Sequence, residues 1–122
     1  MAAVQKHDVA HTEVVTNDVE GTQKFYEKLY GWKFQDLGAD MGNYRMGTLP
    51  GGATCGIRAP QESAEKPGLI NYILVTDVGK TLTEAKRLGA KVVVEPQEVP
   101  GMGWFAVFDV HGVPNGVWQV KG

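Results

Sequence analysis

Cysteine and serine are almost missing from this chain: Cys55 and Ser63 stand alone among 122 residues. One cysteine closes no internal disulfide, so no disulfide framework holds the fold, and a reducing cytoplasm is the expected address. One serine, in a polar segment, is badly placed for a serine-nucleophile site. Long apolar runs are also lacking. The longest, such as WFAVF from Trp104, reach five residues, far short of the ~20 a membrane helix needs. The N-terminal stretch MAAVQKHDVAH has no apolar signal-peptide core. Charge of one sign is not in excess, with 12 basic against 14 acidic residues and a net charge of −2. Without a basic stripe to follow phosphates, nucleic acid is not an expected partner. No Walker loop, dinucleotide glycine fingerprint or CxxC pair occurs, which sets those chemistries aside.

What is present describes one soluble domain, residues 1–122, with 43% hydrophobic and 21% charged residues. Its 16 glycines cluster near Gly38–Gly56 and Gly101–Gly116, as they do where short strands meet tight turns. Strand character runs over Val9–Thr16. Alternation puts Val9, His11, Glu13 and Val15 on one face and Ala10, Thr12 and Val14 on the other. Asn17 or Asp18 then caps a helix whose apolar stripe is Thr22, Phe25, Tyr26 and Leu29, and Gly31 stops it. Strands follow at Trp32–Leu37, Asn43–Leu49 and Ala53–Ala59.

After the polar crossover PQESAEKPG, from Pro60 to Gly68, the same grammar returns. Leu69–Val75 reads as a strand and Asp77 as a cap. Val78, Leu82, Ala85 and Leu88 form the second helix stripe, which Gly89 ends. Lys91–Glu95, Gly103–Val110 and Gly116–Val120 are the last strands. Asp18 answers to Asp77 and Leu29 to Leu88, both at an offset of 59. The fold expectation is therefore α+β: two βαβββ modules, about 8–59 and 69–121, joined by a linker at about 60–68.

The doubled unit resembles the vicinal oxygen chelate superfamily of glyoxalases, bleomycin resistance proteins and extradiol dioxygenases. The matching features are the strand into Asn17-Asp18, Phe25-Tyr26 with Gly31-Trp32, Val75-Thr76-Asp77-Val78, and Phe108-Asp109-Val110-His111-Gly112 running into Gly116-Val117-Trp118-Gln119. The resemblance implies a cupped mixed sheet with helices outside and a homodimer. It also implies one divalent metal, held by donors from the first and last strands of each module. Carried over by position, the metal ligand of the first strand is His11. Its partner in the second module is Ile70, and the last-strand position falls on Gly116, neither of them a ligand. Anchored on Gly51 and Gly112, the first-module counterpart of Gly116 is Cys55.

This set leaves His11, Glu13 and Cys55 as donors, too few for the usual site. The expectation is no cofactor, with one divalent metal as the alternative. His11 is either a ligand or base, or a hydrogen-bonded wall residue. Glu13, if buried in an apolar cup, is a candidate catalytic base. Cys55 is expected to be a small buried hydrophobe. Tyr72, aligned with Glu13, together with Trp104, Phe105 and Trp118 offers aromatic walls for a flat apolar ligand. Two functions stay open. One is binding of a small apolar or aromatic molecule with His11 and Glu13 as polar anchors. The other is a lyase, isomerase or dioxygenase using a non-standard metal or Glu13.

Overall fold

The computed structural model describes residues Val4–Gly122. The elements run β1 (Val9–Val15), α1 (Val19–Tyr30), β2 (Gln35–Asp36), β3 (Arg45–Thr48), β4 (Thr54–Arg58), then β5 (Gly68–Leu74), α2 (Val78–Arg87), β6 (Lys91–Val99), β7 (Gly103–Val110) and β8 (Val113–Val120). A short 3-10 turn, Ala39–Met41, lies between β2 and β3. This is the doubled βαβββ order. The chain divides into two compact units, His11–Ile70 and Asn71–Gly122, with Val4–Ala10 grouping with the second. There His7 N donates to Leu74 O at 2.8 Å and Leu74 N to Asp8 O at 2.9 Å. These two bonds pin the chain at His7 and Asp8 to Leu74 at the end of β5.

In the first unit β1 pairs parallel with β4, β4 antiparallel with β3, and β3 antiparallel with β2. Asp18 caps α1, its Oδ1 accepting from Gly21 N at 2.8 Å, and Gly31 ends it at φ +73°. That left-handed backbone favours glycine. Val14, Cys55 and Ile57 are buried, with Val19, Tyr26, Trp32, Phe34 and Leu49 packed on them. Fully covering such a side chain contributes ~1.5–3 kcal/mol. The expected helix stripe is corrected at two positions: Phe25 and Leu29 are 60% and 57% exposed. Tyr26 makes the contact instead, its ring 5.5 Å from that of Trp32.

In the second unit β5 pairs parallel with β8, and β7 joins β8 and β6 antiparallel. Asp77 caps α2, accepting from Lys80 N at 2.9 Å. Gln119 on β8 reaches the same helix end and accepts from Val78 N at 2.9 Å. Val78 and Leu82 are buried with Val75, Ala106 and Val117. Leu88, expected in the stripe, lies past the last helical residue and is exposed. β6 and β8 run through Pro96 and Pro114 and so extend beyond the strands the sequence suggests. β6 absorbs its irregularity as register shifts against β7, the bulges that accommodate proline in edge strands.

Candidate functional site

The pairing of β1 with β4 builds the polar site of the first unit. His11 lies opposite Thr54, Glu13 opposite Gly56, and Val15 opposite Arg58. Alternation then places His11, Glu13, Thr54 and Arg58 on one face of the sheet. Cys55 and Ile57 occupy the other, against α1. Tyr44 joins them from the turn before β3. Gly42 and Asn43 both have positive φ, +64° and +56°. The Asn43 amide donates to Asp36 Oδ1 at 3.2 Å, and Leu37 N donates to Tyr44 O at 2.9 Å.

The side chains form a continuous network. Tyr44 OH donates to Glu13 Oε1 at 2.8 Å, and Arg58 Nε pairs with Glu13 Oε2 at 2.9 Å. His11 Nε2 lies 2.8 Å from Tyr44 OH and Nδ1 lies 2.6 Å from Thr54 Oγ1. The Tyr44 hydrogen is committed to Glu13, so its oxygen accepts from His11 and Nε2 carries a proton. Burial lowers the His11 pKa below its ordinary value, outweighing the opposing pull of Glu13. Burial thus favours the neutral ring, in which Nδ1 accepts the Thr54 hydroxyl hydrogen. Proton positions run in one direction along Thr54, His11, Tyr44 and Glu13.

Glu13 is buried, 8% exposed, but its surroundings are not the apolar cup expected of it. Arg58 neutralises it and also grips Glu65 on the crossover, with Nη1 and Nη2 each 2.7 Å from a carboxylate oxygen. Bonding to Glu65 is the main cause that raises the Arg58 pKa, and the same bond lowers that of Glu65. Cys55, buried and facing away from His11, has its pKa pushed up to about 11 by desolvation. A thiol so protonated is a poor metal ligand or nucleophile.

The sequence reading missed Tyr44, Thr54, Arg58 and Glu65. Thr54 and Arg58 were signalled by alternation along β4, two residues either side of Gly56. Tyr44 and Glu65 reach the cluster through turn geometry, which spacing does not show.

The second unit answers with aromatic rings. Tyr72 pairs with Gly116, Leu74 with Trp118, and Phe105 with Trp118. Tyr72 is 6% exposed and meets Phe105 edge-on at 6.2 Å. Tyr72, Phe105 and Trp118 thus share the face turned from α2. Trp104 does not: one residue along β7, opposite Gln119, it packs on the helix-side core. Its expected place in an aromatic wall is corrected to structural packing. His111 occupies an exposed turn at φ +52°.

The residues present do not fit the implied metal site. Both His11 nitrogens and both Glu13 oxygens are already bonded within the network. Among the described residues no three His, Cys, Asp or Glu side chains converge as a metal-holding group.

A sequence profile for the glyoxalase/bleomycin resistance protein/dioxygenase superfamily matches residues 8–117. The chain belongs to that superfamily. Proteins named "Putative glyoxylase CFP32" from Mycobacterium tuberculosis and Mycobacterium bovis are 29% identical to this superfamily member over 116 residues. The match covers 89% of the chain and 44% of each relative. The chain thus spans about half the length of the curated relatives it matches. Among solved structures, a hypothetical protein, BH1468, from Bacillus halodurans superposes with a TM-score of 0.76 at 13% identity, covering 97% of both chains. Methylmalonyl-CoA epimerase from Mycobacterium tuberculosis gives 0.75 at 15% identity, covering 100% of this chain and 93% of its own. These likenesses establish the fold.

Proposed function

We propose that this superfamily member binds a small apolar or aromatic molecule on the helix-free face of its mixed sheet, without a divalent metal. The observation that carries the reading is the Thr54–His11–Tyr44–Glu13–Arg58 network, which turns the one retained ligand position into a neutral hydrogen-bonding wall. Tyr72, Phe105 and Trp118 supply apolar surface of the kind that holds a flat ring. Such a protein sequesters, senses or delivers its ligand. A cytoplasmic homodimer, with no nucleic-acid or membrane partner, belongs to the same reading. No helix among the described residues is long and apolar enough to cross a membrane.

The second reading is an enzyme, in keeping with the glyoxylase and epimerase names of its relatives. The directed chain from Thr54 to Glu13 favours it, because a hydrogen-bonded path can pass a proton to a buried carboxylate. Arg58 opposes it by occupying the second oxygen of Glu13. Native mass spectrometry with metal quantification, on protein purified without an affinity tag, tests both. A co-purifying organic molecule with metal well below stoichiometry is expected. Stoichiometric Zn, Ni, Fe or Mn, lost in His11→Ala, would overturn the metal-free reading.

A further inference from the structure

Each module carries the same local substitution, a tyrosine lying over a glycine of its last strand. In the first unit, a Cβ built on Gly56 would sit 1.7 Å from the Tyr44 hydroxyl oxygen. In the second, a Cβ on Gly116 would sit 2.3 Å from Tyr72 Cδ2. Atoms so placed overlap outright, so a side chain at either position requires its tyrosine to move. Neither glycine has positive φ, which leaves the overlying ring, not backbone conformation, as the reason for glycine.

Strand register shows that these are equivalent positions. Glu13 pairs with Gly56 and Tyr72 with Gly116. Tyr72 follows Glu13 by 59 residues and Gly116 follows Gly56 by 60. Gly116 is the position at which the superfamily resemblance places a last-strand metal ligand. Gly56, not Cys55, is therefore its counterpart in the first module.

We infer that the two tyrosines replace the last-strand metal ligands, one per module, and that Tyr44 is the partner His11 has in place of a metal. Two findings join in Tyr44. Its ring closes the Gly56 position, and its oxygen accepts from the Nε2–H that a metal would have to displace. A divalent ion at His11 would need Nε2 or Nδ1 bare and outward, against both bonds. A ligand on this wall is therefore held by hydrogen bonding and ring contact, not by chelation of two oxygens. This inference rests on the proposed metal-free reading but concerns how the ligand positions were closed, and it is tested without any organic ligand.

Two measurements decide it. The first is a thermal-stability cycle in each module. Gly56→Ala and Gly116→Ala are each expected to lower Tm by roughly 5 °C or more. Adding Tyr44→Ala or Tyr72→Ala is expected to remove most of the glycine-to-alanine cost in that module, because the methyl then has room. If both alanine variants melt with the wild type, the tyrosines do not close these positions and the inference falls. The second is a titration of the intact chain with Co(II) alone, followed by visible absorption. No saturable one-to-one signal is expected. Saturation that His11→Ala abolishes would overturn the inference and the metal-free reading together. Loss of the alanine effects without metal uptake would overturn the inference alone.

Discussion

Arg58 holds the charge balance of the first module's polar face. Its largely buried side chain bridges buried Glu13 to the half-buried Glu65. Removing one member of a buried ion pair strands the other, which costs more than the pair ever contributed. Arg58→Met is therefore expected to destabilise the protein by about 3 kcal/mol, while Glu65→Gln, which leaves Glu13 paired, costs about 1 kcal/mol. Urea denaturation checks the ranking, and equal costs would contradict it. How far the site was readable also turns on single residues. His11 and Glu13 sharing a face followed from alternation alone. The slip from Gly56 to Cys55 came from anchoring on turn glycines, Gly51 and Gly112. Turn lengths differ between the modules, whereas the pairing of first with last strand matches Glu13–Gly56 to Tyr72–Gly116 directly. In a strand, one residue moves a side chain to the other face.

At the scale of the element, α1 shows where periodicity stops short. Phe25, Tyr26, Leu29 and Tyr30 wrap much of the helix in apolar groups, so several faces satisfy a 3.6-residue repeat. Contact with Trp32 and Phe34 selects the face of Tyr26, leaving Phe25 and Leu29 outward. Tyr26→Ala is expected to cost about 3 kcal/mol by emptying that contact. Phe25→Ser, on an exposed position, should stay within about 0.5 kcal/mol. Chemical denaturation of the two variants side by side checks this. A loss at Phe25 comparable to that at Tyr26 would return α1 to the orientation its periodicity first suggests. The helix ends, by contrast, were legible: Asp18, Asp77 and Gly31 act as the sequence implied because caps depend on local chemistry.

Across the whole molecule the repeat at an offset of 59 carried the fold, since both halves obey one strand order. What it could not carry was the environment of each titratable group, and this governs how the protein responds to acid. His11 has a lowered pKa through burial, and Glu65 a lowered pKa through its bond to Arg58. Asp36, held by Gly38 N and Asn43, and Glu84, held by Arg87, shift in the same direction, although both are solvated at the surface. A lowered pKa means that the unfolded chain binds more protons than the folded one as pH falls, for histidine and carboxylate alike. Every one of these shifts therefore removes stability on acidification. His11 contributes fully above its unfolded pKa of about 6.5, and its contribution declines from there down to its folded pKa. The carboxylates add a second decline below about 4.5. The raised pKa values of Arg58 and Arg87 act only in strong alkali and leave this range untouched. The urea midpoint should thus be level between pH 8 and 7, fall in a first leg below about 6.5, and fall again below about 4.5. His11→Gln should erase the first leg and keep the second. A wild-type midpoint that stays level down to pH 5, or a first leg that survives in His11→Gln, would show that His11 does not titrate as its burial in the Thr54–Tyr44 network requires.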